Sequence, residues 1–295
     1  MKYFIVTCHG WSASNWIAYS LNLNSHILCT HSARNEAAKD KDLQSNENLQ
    51  KNLQALHHGY ANRQSRGLDA IYDEIESKGT APVYGSVHVL RMRDIPIILS
   101  KFGEPERKFS LVNVIRHPVN LVWSGYGQFK DLFRYDLNEL YWTTGKALSQ
   151  AKDFIIEIGA KYNIKVGDLD NLAFIGACAI LQSLKEDVQA YPAVIKSANI
   201  EFKGTYHMEK LTTSKDYYSS LCENLNLKDF MDTKYIEAVF KTGVVNKHKS
   251  DNKILTPVDR YNSFNEWQKE VYNHFLILNN LVEPYCQFGY PMATT

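Results

Sequence analysis

Hydrophobic and polar positions along this chain fall into blocks that alternate between two periods. Residues 2–8, "KYFIVTC", are a short run of β-branched and aromatic side chains, which predicts a buried strand. A polar loop follows. From Ser14 or Asn15 the pattern turns helical, with Ile17 and Leu21 one turn apart on one face. "SHILCTHS" (25–32) predicts a second strand. "GLDAIYDEIESKG" (67–79) places Leu68, Ile71, Tyr72 and Ile75 at helical spacing, with Gly79 as the C-cap. "APVYGSVHVL" (81–90) predicts a strand, "DIPIILSKFG" (94–103) a short helix starting near Pro96, and "FSLVNVIRHP" (109–118) the strongest strand of the chain, ended by Pro118. Helices dominate afterwards: one over "NLVWSGYGQF" (120–129), and long amphipathic ones near 137–161 and 168–190. "ANIEFKGTYHM" (198–208) returns as a strand, and helices follow over 214–227 and near 263–283. Residues 33–67 are rich in Asn, Gln, Lys and Glu with few large apolar positions, which predicts a solvated helical or mobile excursion outside the core.

Strands alternating with helices imply an α/β fold, a central parallel sheet flanked by helices on both faces, spanning residues 1–295 as one domain. Ligands of such sheets bind outside the carboxyl ends of the strands. The segments to search are therefore 8–15, 30–32, 88–93, 116–124 and 207–211.

Composition narrows the chemistry. The 295 residues are 44% hydrophobic, enough for a large core. Basic and acidic residues number 33 and 32, a net charge of +1, so nothing draws the whole molecule to nucleic acid or to acidic membranes, and an anion site has to be local. Five scattered cysteines (Cys8, Cys29, Cys178, Cys222, Cys286) form no C-x-x-C pair; reduced thiols in a cytoplasmic protein are the expectation, with neither disulfide framework nor zinc site. The longest later apolar stretch, "LAFIGACAIL" (172–181), is well short of the roughly 20 residues that span a bilayer, and no secretory signal is visible.

Three short constellations lie in or near the searched segments. "HGWSASNWI" (9–17) joins a strand to a helix; its backbone N–H groups with Ser12, Ser14 and Asn15 would cradle an anion, or serve as an ordinary capped turn. The Walker pattern fails there, since its second Gly falls on Asn15 and its Lys on Trp16. In "VIRHPVNLVWSGYGQF" (114–129), Arg116 ends a strand and Ser124 follows eight residues on, a pairing able to clamp a phosphate; a structural ion pair is the ordinary alternative. "VVNKHKSDN" (244–252) carries Lys247, His248 and Lys249, which in isolation read as a solvated charge run.

Taken in order along the chain, these segments resemble the sulfotransferase superfamily, whose members move a sulfonyl group from 3′-phosphoadenosine 5′-phosphosulfate (PAPS). "GWSASNWI" (10–17) is similar to the family's 5′-phosphosulfate loop, P-[KR]-S-G-T-T-W-L. "VIRHPVNLVWSGYGQF" keeps the spacing of its 3′-phosphate element, in which Arg precedes Pro by two and Ser follows Arg by eight. "TYHMEKLTTSKDYYSSLCENLNL" (205–227) resembles the "YEDL" region, with Glu209 and Leu211 in register and Met208 at the Tyr position. "VNKHK" (245–249) resembles the basic segment that closes over the 3′-phosphate.

The resemblance implies a P-loop-like α/β fold, PAPS as co-substrate, PAP as product, and no metal. It implies that the donor lies against Trp11, Ser12, Ala13, Ser14, Asn15 and Trp16, with Arg116, Ser124, Lys247, His248 and Lys249 at the other phosphate. Trp11 occupies the position of the family's loop Lys or Arg, so either another cation, with His9, Lys247 and Lys249 the candidates, or a larger share from the helix N-terminus has to supply that charge. A hydroxyl acceptor must lose a proton, and histidine suits that near neutral pH. His88, in "GSVHVLRM", sits at a strand end and resembles the family's "K-T-H-L" histidine; His31 is the second candidate. The expected acceptor is a small molecule, lipid or saccharide, walled by the excursion and the helices within 130–190; of their aromatics Tyr60, Phe129, Phe133, Tyr135, Tyr141 and Trp142, helix packing accounts for most, leaving a few to line an apolar slot. Two rival readings stand beside this one: a PAP-binding protein that has lost turnover, and a P-loop kinase-like enzyme.

Overall fold

The computed structural model describes residues 1–31, 64–132, 147–241 and 256–292. They fall into two compact units, Met1–Arg116 with Gln189–Lys247, and His117–Val188 with His248–Thr295.

The first unit is a sheet with helices. Its strands are β1 (Lys2–Cys8), β2 (Ile27–His31), β3 (Val83–Val87), β4 (Phe109–Ile115) and β5 (Ile200–His207). All pairings are parallel, and the order across the sheet is β2-β3-β1-β4-β5. Every residue of β2, β3 and β4 is buried, as are Phe4 to Cys8 of β1. That burial on both faces is why these strands read as unbroken apolar runs rather than alternating ones. β5 is an edge strand and is only half-buried along its middle. Its register against β4 slips between Leu111 and Asn113, beside Gly204 at φ 119°, as expected of a bulge.

Helices cover the sheet. They are α1 (Ser14–Asn22), α2 (Leu68–Glu76), α3 (Asp94–Phe102), α7 (Leu181–Ile195, whose last seven residues belong to this unit), α8 (Met208–Leu211), α9 (Lys215–Asn224) and α10 (Thr233–Lys241). Alternate residues of each strand go to opposite faces. Phe4, Val6, Val112 and Val114 join Ile17 and Leu21 of α1 and Tyr218 and Leu221 of α9 in one cluster. Ile5, Phe109 and Leu111 join Ile71, Tyr72 and Ile75 of α2 and Ile95 and Ile98 of α3 in the other. Each such fully buried side chain is worth roughly 1.5–3 kcal/mol relative to exposure.

The second unit, as described, is helical: α4 (Pro118–Leu132), α5 (Lys152–Tyr162), α6 (Leu169–Ala179), the start of α7, α11 (Pro257–Asn262), α12 (Glu266–Leu278) and α13 (Val282–Gln287). Phe174 of α6 sits at its centre, meeting the rings of Tyr126, Phe264 and Trp267 edge-on at 5.3, 5.1 and 5.5 Å. Two capping boxes, Thr256 with Asp259 and Asn265 with Gln268, start α11 and α12.

Several predicted boundaries move. The helix predicted over 168–190 is two helices meeting at Ile180, and residues 173–181 are buried without a break. A helix buried all round has no amphipathic period to reveal its end. α2 stops at Glu76 with Ser77, not Gly79, as C-cap. α3 starts at Asp94, whose carboxylate accepts from the Arg91 N–H at 2.8 Å, so Pro96 lies in the first turn, where its missing N–H costs nothing. Pro118 does more than end a strand: it is the first residue of α4. Helices α8, α10, α11 and α13 were not predicted. Most of the 33–67 excursion lies outside the described residues, as do residues 137–146 of the helix predicted near 137–161. All five cysteines are free thiols, four of them buried. No helix among the described residues is long and apolar enough to cross a membrane.

Gly85 of β3 stands beside Phe4 in the register, and a Cβ there would lie 1.9 Å from the Phe4 ring. Gly85→Ala should therefore cost about 1–3 kcal/mol or more in urea unfolding, because the core must shift to admit it. Gly127→Ala is the contrast: it sits inside α4 with open space around its Cβ, and should gain about 0.5–1 kcal/mol from helix propensity.

Candidate functional site

Strand order decides where a ligand would sit. The chain leaves β1 toward β2 on one side and leaves β4 toward β5 on the other, while β1 and β4 are neighbours. Connections that diverge from adjacent strands open a crevice at their carboxyl ends. The loop His9–Ala13 follows β1 there, and Arg116 follows β4. Arg116 Nη1 donates to the Trp11 carbonyl at 2.6 Å, joining two segments 105 residues apart in sequence.

The loop is strained. Among the described residues, six that are not glycine have positive φ. Three are asparagines, which tolerate that region. The others are Trp11 (φ 64°), Ala13 (φ 56°) and His88 (φ 60°), all at the carboxyl edge of the sheet. A bulky side chain held there costs of order 1–3 kcal/mol, and such strain collects at functional sites. The left-handed residues at Trp11 and Ala13 around Ser12 make a turn of the kind whose successive N–H groups form an anion nest.

The same place carries unsatisfied polar groups. Ala13 is the N-cap of α1 and offers no side-chain cap, and the first turn holds no acidic residue, so the positive helix end is uncompensated. Ser12 Oγ is completely buried and has no hydrogen-bond partner among the described residues. His9 is 6% exposed; its Nδ1–H donates to the Gly10 carbonyl at 3.3 Å, and its Nε2 is likewise unpartnered. Buried polar atoms are nearly always satisfied, so two orphans in one turn mark a place for a polar ligand.

Of the predicted site residues, His9 to Asn15, His31, His88 and Arg116 gather at this edge. Ser14 begins α1 and is buried; Asn15 is half-buried. Trp16 turns into the core against Tyr218 and Phe240, at 5.5 and 5.9 Å between ring centroids, so only its backbone faces the helix start. Ser124 lies on α4 in the second unit. Lys247, His248 and Lys249 lie outside the described residues, as do Tyr60, Phe133, Tyr135, Tyr141 and Trp142, while Phe129 is buried on α4.

The histidines differ in chemistry. His88 Nδ1 is 2.8 Å from the Cys8 carbonyl. A carbonyl only accepts, so Nδ1 carries the hydrogen and Nε2 is the basic nitrogen of the neutral ring. His31 stacks at a tilt beside His88, centroids 5.7 Å apart, and burial pushes its pKa down to about 3. His9 is held neutral as well: burial, then the nearby guanidinium groups of Arg91 and Arg93, place its pKa well below the ordinary value. It brings no positive charge to the loop.

Two groups were missed in the sequence. Arg91 and Arg93 leave the turn after β3 close enough to oppose protonation of His9, although "HVLRMRD" lay inside a searched segment. His207 ends β5 and is 8% exposed, so that a buried histidine ends β2 and β5 (His31, His207) and another directly follows β1 and β3 (His9, His88). The row is legible in the sequence at the strand ends: "TCH", "CTH", "SVH" and "TYH". Among the described residues, no group of three or more His, Cys, Asp or Glu is arranged to hold a metal.

No known protein-family model matches this chain, and no curated protein matches it.

His9 and His31 stay neutral when folded but protonate near their ordinary pKa when unfolded. The unfolded state therefore binds more protons below about pH 6.5, and stability falls as pH drops through that point, toward about 3 for His31. Each group contributes a slope of about 1.4 kcal/mol per pH unit in that window. His31→Asn should remove one such contribution from urea unfolding measured between about pH 6 and 5; an unchanged slope would show that His31 is not buried neutral.

Proposed function

We propose that this protein is a sulfotransferase that uses PAPS and a hydroxyl or amine acceptor. The observation that carries the reading is the Arg116–Trp11 hydrogen bond. It unites, at one switch point of a parallel sheet, two segments that resemble separate parts of one donor site. The strained turn, the uncapped start of α1 and the orphaned Ser12 hydroxyl suit a phosphosulfate, which offers acceptor oxygens and negative charge.

In the proposed reaction the sulfur–oxygen bond to the donor phosphate breaks, a new one forms to the acceptor oxygen or nitrogen, and the acceptor proton moves to a base. The chain's part is to hold, orient and neutralise. The N–H groups of the turn and of Ser14 to Trp16, with the Ser12 hydroxyl, hold the 5′ end, where charge grows on the departing phosphate. Arg116 adds a fixed positive charge beside the loop, its guanidinium aligned by the Trp11 carbonyl. His88 is the base. Its tautomer is set by Cys8 and its backbone is locked at positive φ, which fixes the aim of Nε2. His31 suits that role poorly, because a ring so resistant to protonation is a weak acceptor at neutral pH.

Thermal shift separates this reading from a kinase-like one. PAP at about a hundredfold over its Kd should stabilise the protein by about 2.7 kcal/mol, and ATP with Mg²⁺ should not. Stabilisation by ATP with Mg²⁺ and none by PAP would overturn it.

His88→Ala should leave PAP affinity intact and cut sulfonyl transfer by about 10²–10⁴-fold. Retained transfer would move the base elsewhere. PAP binding without consumption of PAPS in any acceptor pool would favour a binding protein instead.

A further inference from the structure

The loop Lys or Arg of the sulfotransferase family has no counterpart at Trp11, and His9 is neutral, so the charge on the 5′ side of the donor needs another source. The turn after β3 is fastened to β1 at three points. The His88 N–H donates to the Val6 carbonyl at 3.0 Å, His88 Nδ1–H to the Cys8 carbonyl at 2.8 Å, and the Thr7 hydroxyl meets Met92 Sδ at 3.7 Å. Met92 is buried, and the residues on either side of it, Arg91 and Arg93, are half-buried. Asp94 closes the turn, its carboxylate taking the Arg91 N–H at 2.8 Å and the Gln64 side-chain amide at 2.6 Å. Because β3 and β4 flank β1, the chain after each of them emerges beside the His9–Ala13 loop: Arg116 follows β4, and Arg91 and Arg93 follow β3. The loop itself holds the buried Ser12 hydroxyl, which has no partner among the described residues.

We infer that Arg91 and Arg93 bind the 5′-phosphosulfate end of the donor, supplying from the neighbouring strand the cation that Trp11 does not. This rests on the donor reading above and adds to it the residues that hold the transferred end. Guanidinium groups suit such an anion because they stay charged and their fork matches two oxygens of one phosphate. The charge also stays outside the loop, leaving the turn to offer its backbone N–H groups and the Ser12 hydroxyl.

The test measures the affinities of PAP, adenosine 5′-monophosphate and adenosine 3′-monophosphate by titration calorimetry on the full chain. Arg91→Gln with Arg93→Gln should weaken PAP and the 5′-monophosphate by about tenfold or more, and leave the 3′-monophosphate within about twofold. Arg91→Lys with Arg93→Lys should restore most of the lost affinity, which a purely structural role would not predict. Unchanged 3′-monophosphate binding also certifies that the Gln variant is folded. If the native chain binds PAP and the Gln variant binds it equally well, the arginine inference falls and the donor reading survives. If the variant loses both monophosphates alike, the arginines act on folding, and the inference again falls. If the native chain binds neither PAP nor the 5′-monophosphate, both fall together.

Discussion

The site depends on β1 being hydrogen-bonded on both of its edges. β3 and β4 run parallel to it in register, Val6 opposite Val87 and Cys8 opposite Val114, so whatever follows each strand emerges at one edge. That register sets His88 and the turn to Met92 on one side of the loop and Arg116 on the other. Helix packing then makes the register hard to leave. A one-residue slip would turn Phe4, Val6 and Cys8 to the opposite face, away from α1 and α9, and set Ile5 and Thr7 there instead. The buried faces of the sheet are thus what hold the chemistry of its edge in place.

Much of this was legible in the sequence because it was encoded locally. The strand at 2–8 and the start of α1 at Ser14 need only the change of period, and they come out as predicted. The position of Arg116 was legible as the end of a strong apolar run. What could not be read was lateral order. Nothing in "GSVHVLRMRD" says that β3 lies next to β1, so nothing tied Arg91 and Arg93 to the loop. Nor could burial be weighed: His9 looked like the nearest replacement for the missing loop cation, and only its enclosure, beside two guanidinium groups, makes it neutral. The break at Ile180 was hidden for a related reason, since a helix surrounded by protein has no polar face to mark its limits.

The neutral histidines and the arginines answer to one constraint. An ionised group taken from water without a partner is costly, and a histidine responds by giving up its proton. A guanidinium does not respond that way. His9 and His31 therefore add hydrogen-bonding nitrogens to this edge without adding charge, while Arg91, Arg93 and Arg116 keep theirs in half-buried positions.

Trp11 then has a physical explanation that does not require a cation at its position. A lysine there would set a second positive charge beside Arg116, which the Trp11 carbonyl already holds. Tryptophan instead contributes its backbone: its carbonyl fixes Arg116, and its left-handed conformation helps turn the loop toward the helix start. Its ring stands 5.9 Å from that of His9, beside the buried imidazole. The strain at a bulky residue with φ 64° is offset by a charge-assisted hydrogen bond, which is worth more than a neutral one. The hydrogen bond to Arg116 also ties the loop to the end of β4, so the two segments are held together as one frame.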